Sequence, residues 1–277
     1  MRLKSPCVLF RSIGIETAEE LEVAEKHFVV LKSRMSVTGG NLVIGRYSVL
    51  PFYQELEADV RSAGGALINS FREHRYVADL QNWVLDLGEL TPKTWTSLQD
   101  VPDNVGPVIL KGETNSRKNK WNTHMFARNK KEATEVFLRL NDDSLLSNQN
   151  IYVREFVPLC TLMIDPINEQ PITEEYRFFV LDGKIMSSGY YWSSHVMELE
   201  TIPNPKNVPA EFLNKVINRV KENIRFFVID VAKTQSGEWI VIELNDGQQS
   251  GLSENDPKEL YKNMKFELWD SKFQITH

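Results

Sequence analysis

Three residues near the end of the sequence could hold a metal ion. They are Asp230, Glu243 and Asn245, in "FFVIDVAKTQSGEWIVIELNDGQQSGLS" (226–253). All three sit in or at the end of apolar runs that read as the two strands of a hairpin. A carboxylate in a buried strand is unfavourable unless something compensates it. With Thr234–Gly237 as the loop, Lys233 faces Glu238 and Asp230 lies opposite Val241. Side chains alternate along a strand, so Val241, Glu243 and Asn245 share a face. Asp230 joins that face as a diagonal neighbour of Glu243, roughly 7–8 Å away at the backbone. Two carboxylates and a carboxamide oxygen so placed suit Mg²⁺, which keeps waters and phosphate oxygens in its other positions. The alternative is a solvated hairpin face; Ile229, Val231, Ile240, Val241, Ile242 and Leu244 weigh against it. The following "DGQQSGLS" suits a tight loop beside a substrate.

A bound phosphate needs cations or a cradle of backbone N–H groups. Neither GxxxxGK[ST] nor GxGxxG is present. Residues 111–131, "KGETNSRKNKWNTHMFARNKK", instead carry Lys111, Arg117, Lys118, Lys120, Arg128, Lys130 and Lys131 against the single acid Glu113. Lys111 ends the apolar run "GPVILKG", so rigid backbone places its ammonium. Arg117, Lys118 and Lys120 fall in a loop that could fold over a triphosphate and exclude water. A solvated basic loop and a nucleic-acid contact are the alternatives. Arg177, in "EYRFFVLDGK", is a strand cation among aromatics. It could serve a phosphate or pair with Glu174 or Glu175. His27, His74, His124, His195 and His277 show no metal-ligand spacing and read as structural or exposed.

Strands alternate with helices over the first 80 or so residues: "PCVLFR", a helix "TAEELEVAEKHF" capped by Thr17 with Glu20, "VVLKS", "LVIGRYSVL" (42–50), a helix 51–65 opening on Pro51, and "ALINS". This order predicts an α/β unit with a largely parallel sheet. "FREHRYVADLQNWVLDLGEL" reads as one helix. Beyond residue 106, strands follow in quick succession around the helices "KKEATEVFLRLND" and "AEFLNKVINRVKENI", which predicts an antiparallel α+β region. Asp182-Gly183 marks a type I′ hairpin turn.

Composition is that of an ordinary globular chain, 42% hydrophobic and 25% charged over 277 residues, enough for a sizeable core. The net charge of −6 argues against bulk nucleic-acid binding. No apolar run approaches a membrane span, and the run in "MRLKSPCVLFRSIG" is too short for a signal peptide. Cys7 and Cys160 are far apart among apolar residues and read as reduced core thiols. The default expectation is a cytoplasmic protein.

A strand-end lysine, a mobile loop, "YVREFVP", a strand arginine in "EYRFFVLDGK" and a closing "ID…IELN" occur here in the order that resembles the ATP-grasp superfamily. The resemblance covers about 90–255, and the preceding segment is similar to the α/β domain that helps bind the other substrate. It implies three parts: 1–90, the N-terminal α/β domain; 91–150, a small subdomain with the phosphate-covering loop; and 151–277, a C-terminal subdomain with the Mg²⁺ site. It implies ATP and Mg²⁺ as cofactors. Lys111 and Arg177 would be catalytic. Lys111, Lys118, Lys120, Arg154, Glu155, Phe156, Val157 and Arg177 would bind ATP, with 155–157 lining the adenine pocket. Asp230, Glu243 and Asn245 would hold the metal, and Arg46 would meet an acidic substrate group. The loop departs from the glycine-rich form common in the family. The implied reaction joins a carboxylate to an amine through an acylphosphate, releasing ADP and phosphate. A kinase-like phosphotransferase and a non-catalytic nucleotide-binding module are the alternatives.

Overall fold

The computed structural model describes residues 5–11, 17–47, 49, 51–167 and 169–270; His277, and residues 48 and 50 of the expected strand 42–50, lie outside these. Short apolar runs form the first sheet: β1 (Pro6–Phe10), β2 (Val29–Leu31), β3 (Leu42–Arg46) and β4 (Ala66–Leu67). Its order is β2-β1-β3-β4 and every pairing is parallel. The connections include helices α1 (Ala18–His27) and α2 (Tyr53–Ser62). Thr17 makes no side-chain cap on α1. Glu20 turns inward instead, accepting from Arg46 Nε at 2.7 Å and Tyr261 Oη at 2.8 Å. A buried guanidinium needs an anion more than a surface helix end needs a cap.

The expected single helix after residue 70 is two, α3 (Phe71–Ala78) and α4 (Leu80–Leu87). Asp79 breaks it: its backbone is extended, its carboxylate caps Gln81, and it accepts from Tyr152 Oη at 2.6 Å. The second sheet is antiparallel, in the order β5 (Thr94–Trp95), β8 (Ile151–Glu155), β6 (Val108–Gly112), β7 (Phe126–Ala127). Between its strands lie α5 (Trp121–His124) and α6 (Lys130–Asn141). A small hairpin follows, β9 (Thr161–Ile164) with β10 (Pro171–Thr173).

The third sheet is also antiparallel, in the order β12 (Lys184–Tyr190), β11 (Glu175–Leu181), β13 (Phe226–Lys233), β14 (Trp239–Asp246). α7 (Ala210–Val220) precedes β13 and α8 (Pro257–Lys265) follows β14. Asp182 and Gly183 take φ of 48° and 77°, the left-handed pair of a type I′ turn. Lys233 pairs with Trp239, one residue away from the register expected from a four-residue loop. Alone, that slip would send Asp230 to the opposite face. A bulge at Ile242 restores the phase, and Asp230 pairs directly with Glu243. The two carboxylates share a face by a different route from the one expected.

One face of the third sheet packs Phe178, Phe227, Ile229 and Leu244 against Trp83 of α4 and Val216 of α7. On the other face, Phe179, Leu181, Phe226 and Val228 meet Val8 and Ile44 of the first sheet and Leu260 and Met264 of α8. The first and third sheets therefore share one core. A separate cluster seals α6 onto the second sheet through Val108, Leu110, Val136 and Val153. Cys7 is buried and Cys160 half-buried, and both are free thiols. Among the described residues, no helix is long and apolar enough to cross a membrane.

Gly189, opposite Arg177 in the sheet, lets residues 254–255 lie flat on β12. A Cβ there would sit 2.2 Å from the carbonyl carbon of Glu254, and the obstacle is backbone. The segment is held by Glu254 N–H donating to Tyr190 O at 3.0 Å and by Asn255 Nδ2 donating to Arg177 O at 3.2 Å. Gly189→Ala is expected to destabilise the protein by about 1–3 kcal/mol, the range for overpacking. Urea unfolding checks this; an unchanged midpoint would mean that the segment does not rest there.

Candidate active site

The apolar face shared with the first sheet becomes charged at its other end. Strand alternation puts Glu175 and Arg177 of β11 on the same face as Phe179 and Leu181. Arg177 meets Asp230 side-on, Nε to Oδ1 at 2.8 Å and Nη2 to Oδ2 at 2.7 Å, and its Nη1 donates to Gly251 O at 2.8 Å. The partner is thus Asp230, rather than the Glu174 or Glu175 that adjacency suggested. Asp230 is wholly buried.

Lys111 reaches across from the second sheet. Alternation along β6 turns Val108 and Leu110 toward α6 and leaves Ile109 and Lys111 facing the third sheet. The Lys111 ammonium pairs with Glu243 Oε1 of β14. Burial raises the Glu243 carboxyl, but Lys111 and then Lys118 outweigh it and hold the group down at about 2. Lys118 donates to Tyr191 Oη at 2.6 Å and lies 4.3 Å and 5.0 Å from the ring centroids of Tyr191 and Trp192.

Between the second and third sheets is a cleft of about 240 Å³. Ile109, Phe156, Val157, Trp192 and Ile242 form apolar walls, and Lys111, Lys118, Arg154, Glu155, Glu175 and Glu243 supply charge. An adjoining cavity of about 260 Å³ is lined by Arg177, Glu243, Asn245, Gln249 and Gly251. Glu243 belongs to both walls, so the two spaces meet at the Lys111–Glu243 pair.

Most of the residues singled out from sequence gather here: Lys111, Lys118, Glu155, Phe156, Val157, Arg177, Glu243 and Asn245. The amide N–H groups of Glu155 and Phe156 already donate, to Lys93 O at 2.8 Å and Pro107 O at 3.0 Å. Lys120 is exposed and off the cleft wall, and Arg117 binds Asp143 at 2.8–2.9 Å through Nε. Arg154 lines the cleft, but its guanidinium is spent on Ile242 O at 2.6 Å and Thr91 Oγ1 at 2.7 Å. Burial pulls it down to about 10. Arg46 is buried elsewhere, donating to Glu20, to Gly247 O and, at 2.9 Å, to Ser250 O. It anchors the 247–250 loop and lines neither the cleft nor the adjoining cavity. His74 is buried 3.1 Å from Asp246, and both line the 260 Å³ cavity.

Glu175 is the residue that the sequence reading did not place in the site. It is 3% exposed, and its Oε1 has no hydrogen-bond partner. Burial pushes its carboxyl up to about 7, against the pull of Lys118. Its position two residues before Arg177 on the same strand was the available signal. Of the three candidate metal donors, Glu243 and Asn245 line the 260 Å³ cavity. Asp230 stands behind them with both oxygens accepting from Arg177. All are oxygen donors suited to a hard cation. Among the described residues no three His, Cys, Asp or Glu side chains form a ready-made metal cluster.

A parallel α/β sheet followed by two antiparallel lobes with a charged cleft between them defines an ATP-grasp protein. Within that class the chain belongs to the ATP-grasp domain, R2K clade family 3, whose model matches residues 97–264. The fold is similar to D-cycloserine synthetase DcsG, with TM-score 0.63 and 10% identity over 96% of this chain and 100% of that one. It is similar to the ATP-grasp ligase PsnB complexed with minimal precursor, Mg and ADP, with TM-score 0.56 and 12% identity over 93% and 96% of the two chains. D-alanine–D-alanine ligase from Bacillus anthracis, complexed with ATP, gives TM-score 0.54 and 12% identity over 88% and 85%. These likenesses cover nearly the whole chain and establish the fold. No curated protein sequence matches.

A carboxyl raised on folding keeps its proton in the native state while the unfolded chain loses it. Stability therefore falls as pH rises from the unfolded value of 4.5 through the folded value of about 7. Glu175→Gln is expected to remove that decline, worth up to about 3 kcal/mol by pH 8. Urea unfolding of both proteins at pH 5 and pH 8 measures it; parallel pH dependence would mean that Glu175 ionises normally.

Proposed function

We propose that this chain is an ATP-dependent ligase that joins a carboxylate to an amine through an acylphosphate. The observation that carries this is the Lys111–Glu243 pair at the junction of two cavities. A metal-bound triphosphate offers each of them a new partner: phosphate oxygen for the ammonium, metal for the carboxylate. In support, the Bacillus anthracis ligase was solved with ATP and PsnB with Mg and ADP.

On this reading the adenine lies between the Phe156–Val157 segment and Ile242, and the phosphates run toward Lys111, Lys118 and Arg177. Residues 1–90, 91–150 and 151–277 act as substrate-side domain, phosphate-covering lobe and metal-holding lobe. Glu243 and Asn245 would hold Mg²⁺, with Asp230 behind them fixing Arg177. Mg²⁺ would offset charge on the phosphate oxygens. A carboxylate oxygen of the substrate attacks the γ-phosphorus, the bond to the bridging oxygen breaks, and ADP leaves. The amine nitrogen then attacks the acyl carbon, the bond from that carbon to the phosphate oxygen breaks, inorganic phosphate leaves with the electron pair, and the amine proton passes to solvent. Phosphoryl transfer needs positioning and charge neutralisation more than covalent help, and a cleft rich in fixed cations supplies both.

Hydroxylamine substitutes for an unknown amine. With ATP, Mg²⁺ and a carboxylate panel, the protein is expected to release ADP and form a hydroxamate. Lys111→Met is expected to slow this by about 100-fold or more, the scale seen when one transition-state donor is lost. AMP and pyrophosphate as products would refute the acylphosphate route. A phosphorylated product formed without any amine would make the protein a phosphotransferase.

A further inference from the structure

The first sheet has a groove of its own. It has a volume of about 420 Å³ and is lined by the ends of β1 and β3 and the segment after β2, including Arg11, Lys32, Arg34, Tyr47, Val49 and Phe52. Strand order β2-β1-β3-β4 reverses direction at β1, with β2 to one side and β3 to the other. In parallel α/β sheets, ligands bind outside the carboxyl ends of the strands at such a switch point.

The charge of the groove runs against that of the chain. Net charge is −6, yet three cations converge here. Their counterions are partial: Arg34 meets Asp59 at 2.9 Å with both side chains about half exposed, and Lys32 meets Glu25 only at 3.8 Å. Burial raises the Tyr47 phenol while Arg34 and Arg11 pull it back, so both guanidiniums lie near its hydroxyl. Phe52, the residue before helix α2, lies in the groove wall and makes no side-chain cap.

The wall of the groove is tied to the wall of the 260 Å³ cavity. Val49 lines the groove, and its N–H donates to Gln249 Oε1 at 2.8 Å. Gln249 lines the cavity that holds Arg177 and Glu243, and its buried Nε2 has no hydrogen-bond partner. That unpartnered amide donor lies where the groove wall meets the cavity wall.

We infer that the carboxylate substrate carries a further anionic group, carboxylate or phosphate, which Arg11, Lys32 and Arg34 hold in this groove. Naming the ligand a co-substrate rests on the ligase reading; the groove's demand for an anion rests on its own residues. Tricarballylate and tetraglutamate serve as probes, titrated calorimetrically into the full chain with and without saturating ADP and Mg²⁺. At least one probe is expected to bind, and to remain bound when nucleotide is present. Arg11→Gln/Arg34→Gln is expected to weaken it by about tenfold or more, the scale of losing charge-assisted hydrogen bonds, with the nucleotide-induced rise in melting temperature retained. Asp59→Asn, which frees Arg34, is expected to tighten it. Tighter binding of tetraglutamate identifies an acidic chain end as the source, and tighter binding of tricarballylate a free metabolite.

Absence of binding by wild type, displacement of the anion by ADP, or equal affinity in the double variant would each overturn the proposal. Anion binding that follows these variants in a protein that forms no ADP with any carboxylate would leave the groove standing and remove the ligase reading.

Discussion

A carboxylate sealed into a β-sheet must be matched by a cation or keep its proton. This chain places three on one face of its third sheet and resolves each differently. Asp230 is clamped side-on by Arg177. Glu243 is met by Lys111 from another sheet. Glu175, with one oxygen unbonded, is pushed toward its neutral form. Apolar residues at the other end of the same face hold the sheet against the first sheet and α8. The polar site is the end of a hydrophobic core where packing stops and charge pairing begins.

That arrangement explains why the first sheet cannot be treated as an appendage. Asn69 Nδ2 donates to Phe226 O at 2.6 Å and Asp246 Oδ1 at 2.8 Å, and its Oδ1 accepts from Phe226 N at 2.9 Å. Gln248 bonds Tyr53 Oη at 2.5 Å and Gly45 N at 2.8 Å. Arg46 adds the carbonyls of Gly247 and Ser250. The loop after β14 is therefore pinned from the first sheet on one side and by Arg177 on the other. Satisfying these buried polar groups fixes the loop backbone, and with it the wall of the cavity beside Glu243.

The sequence order of strands and helices made the fold legible, because periodicity and turn chemistry are local. The Asp182-Gly183 turn, the parallel first sheet and the strand-end placement of Lys111 follow from such local signals. What was not legible depended on partners far away in sequence. The bulge at Ile242 alters the pairing of β14 without any glycine or proline to mark it. Asp79 looked like one more helical residue until Tyr152 and Gln81 claimed its carboxylate. Arg46 and Arg154 resembled ligand-binding cations, but buried carbonyls and Glu20 take their donors. Glu175 was visible as a neighbour of Arg177, yet only burial explains why its carboxyl is raised. Lys120 and Lys118 are indistinguishable in the sequence; the Tyr191–Trp192 pair across the cleft receives one and not the other.

Through the Lys111–Glu243 contact, each wall of the cleft supplies the other's counterion. Ligand entry there is an exchange of partners rather than an addition of charge. On the proposed reading, a nucleotide without its cation would take Lys111 and leave Glu243 bare beside phosphate oxygens. A metal without nucleotide would take Glu243 and leave Lys111 beside Arg154 in a dry wall. Only the two together would release both residues into matched company. On that reading, coincidence detection would require no moving part: it would follow from placing one ion pair across the seam between two sheets.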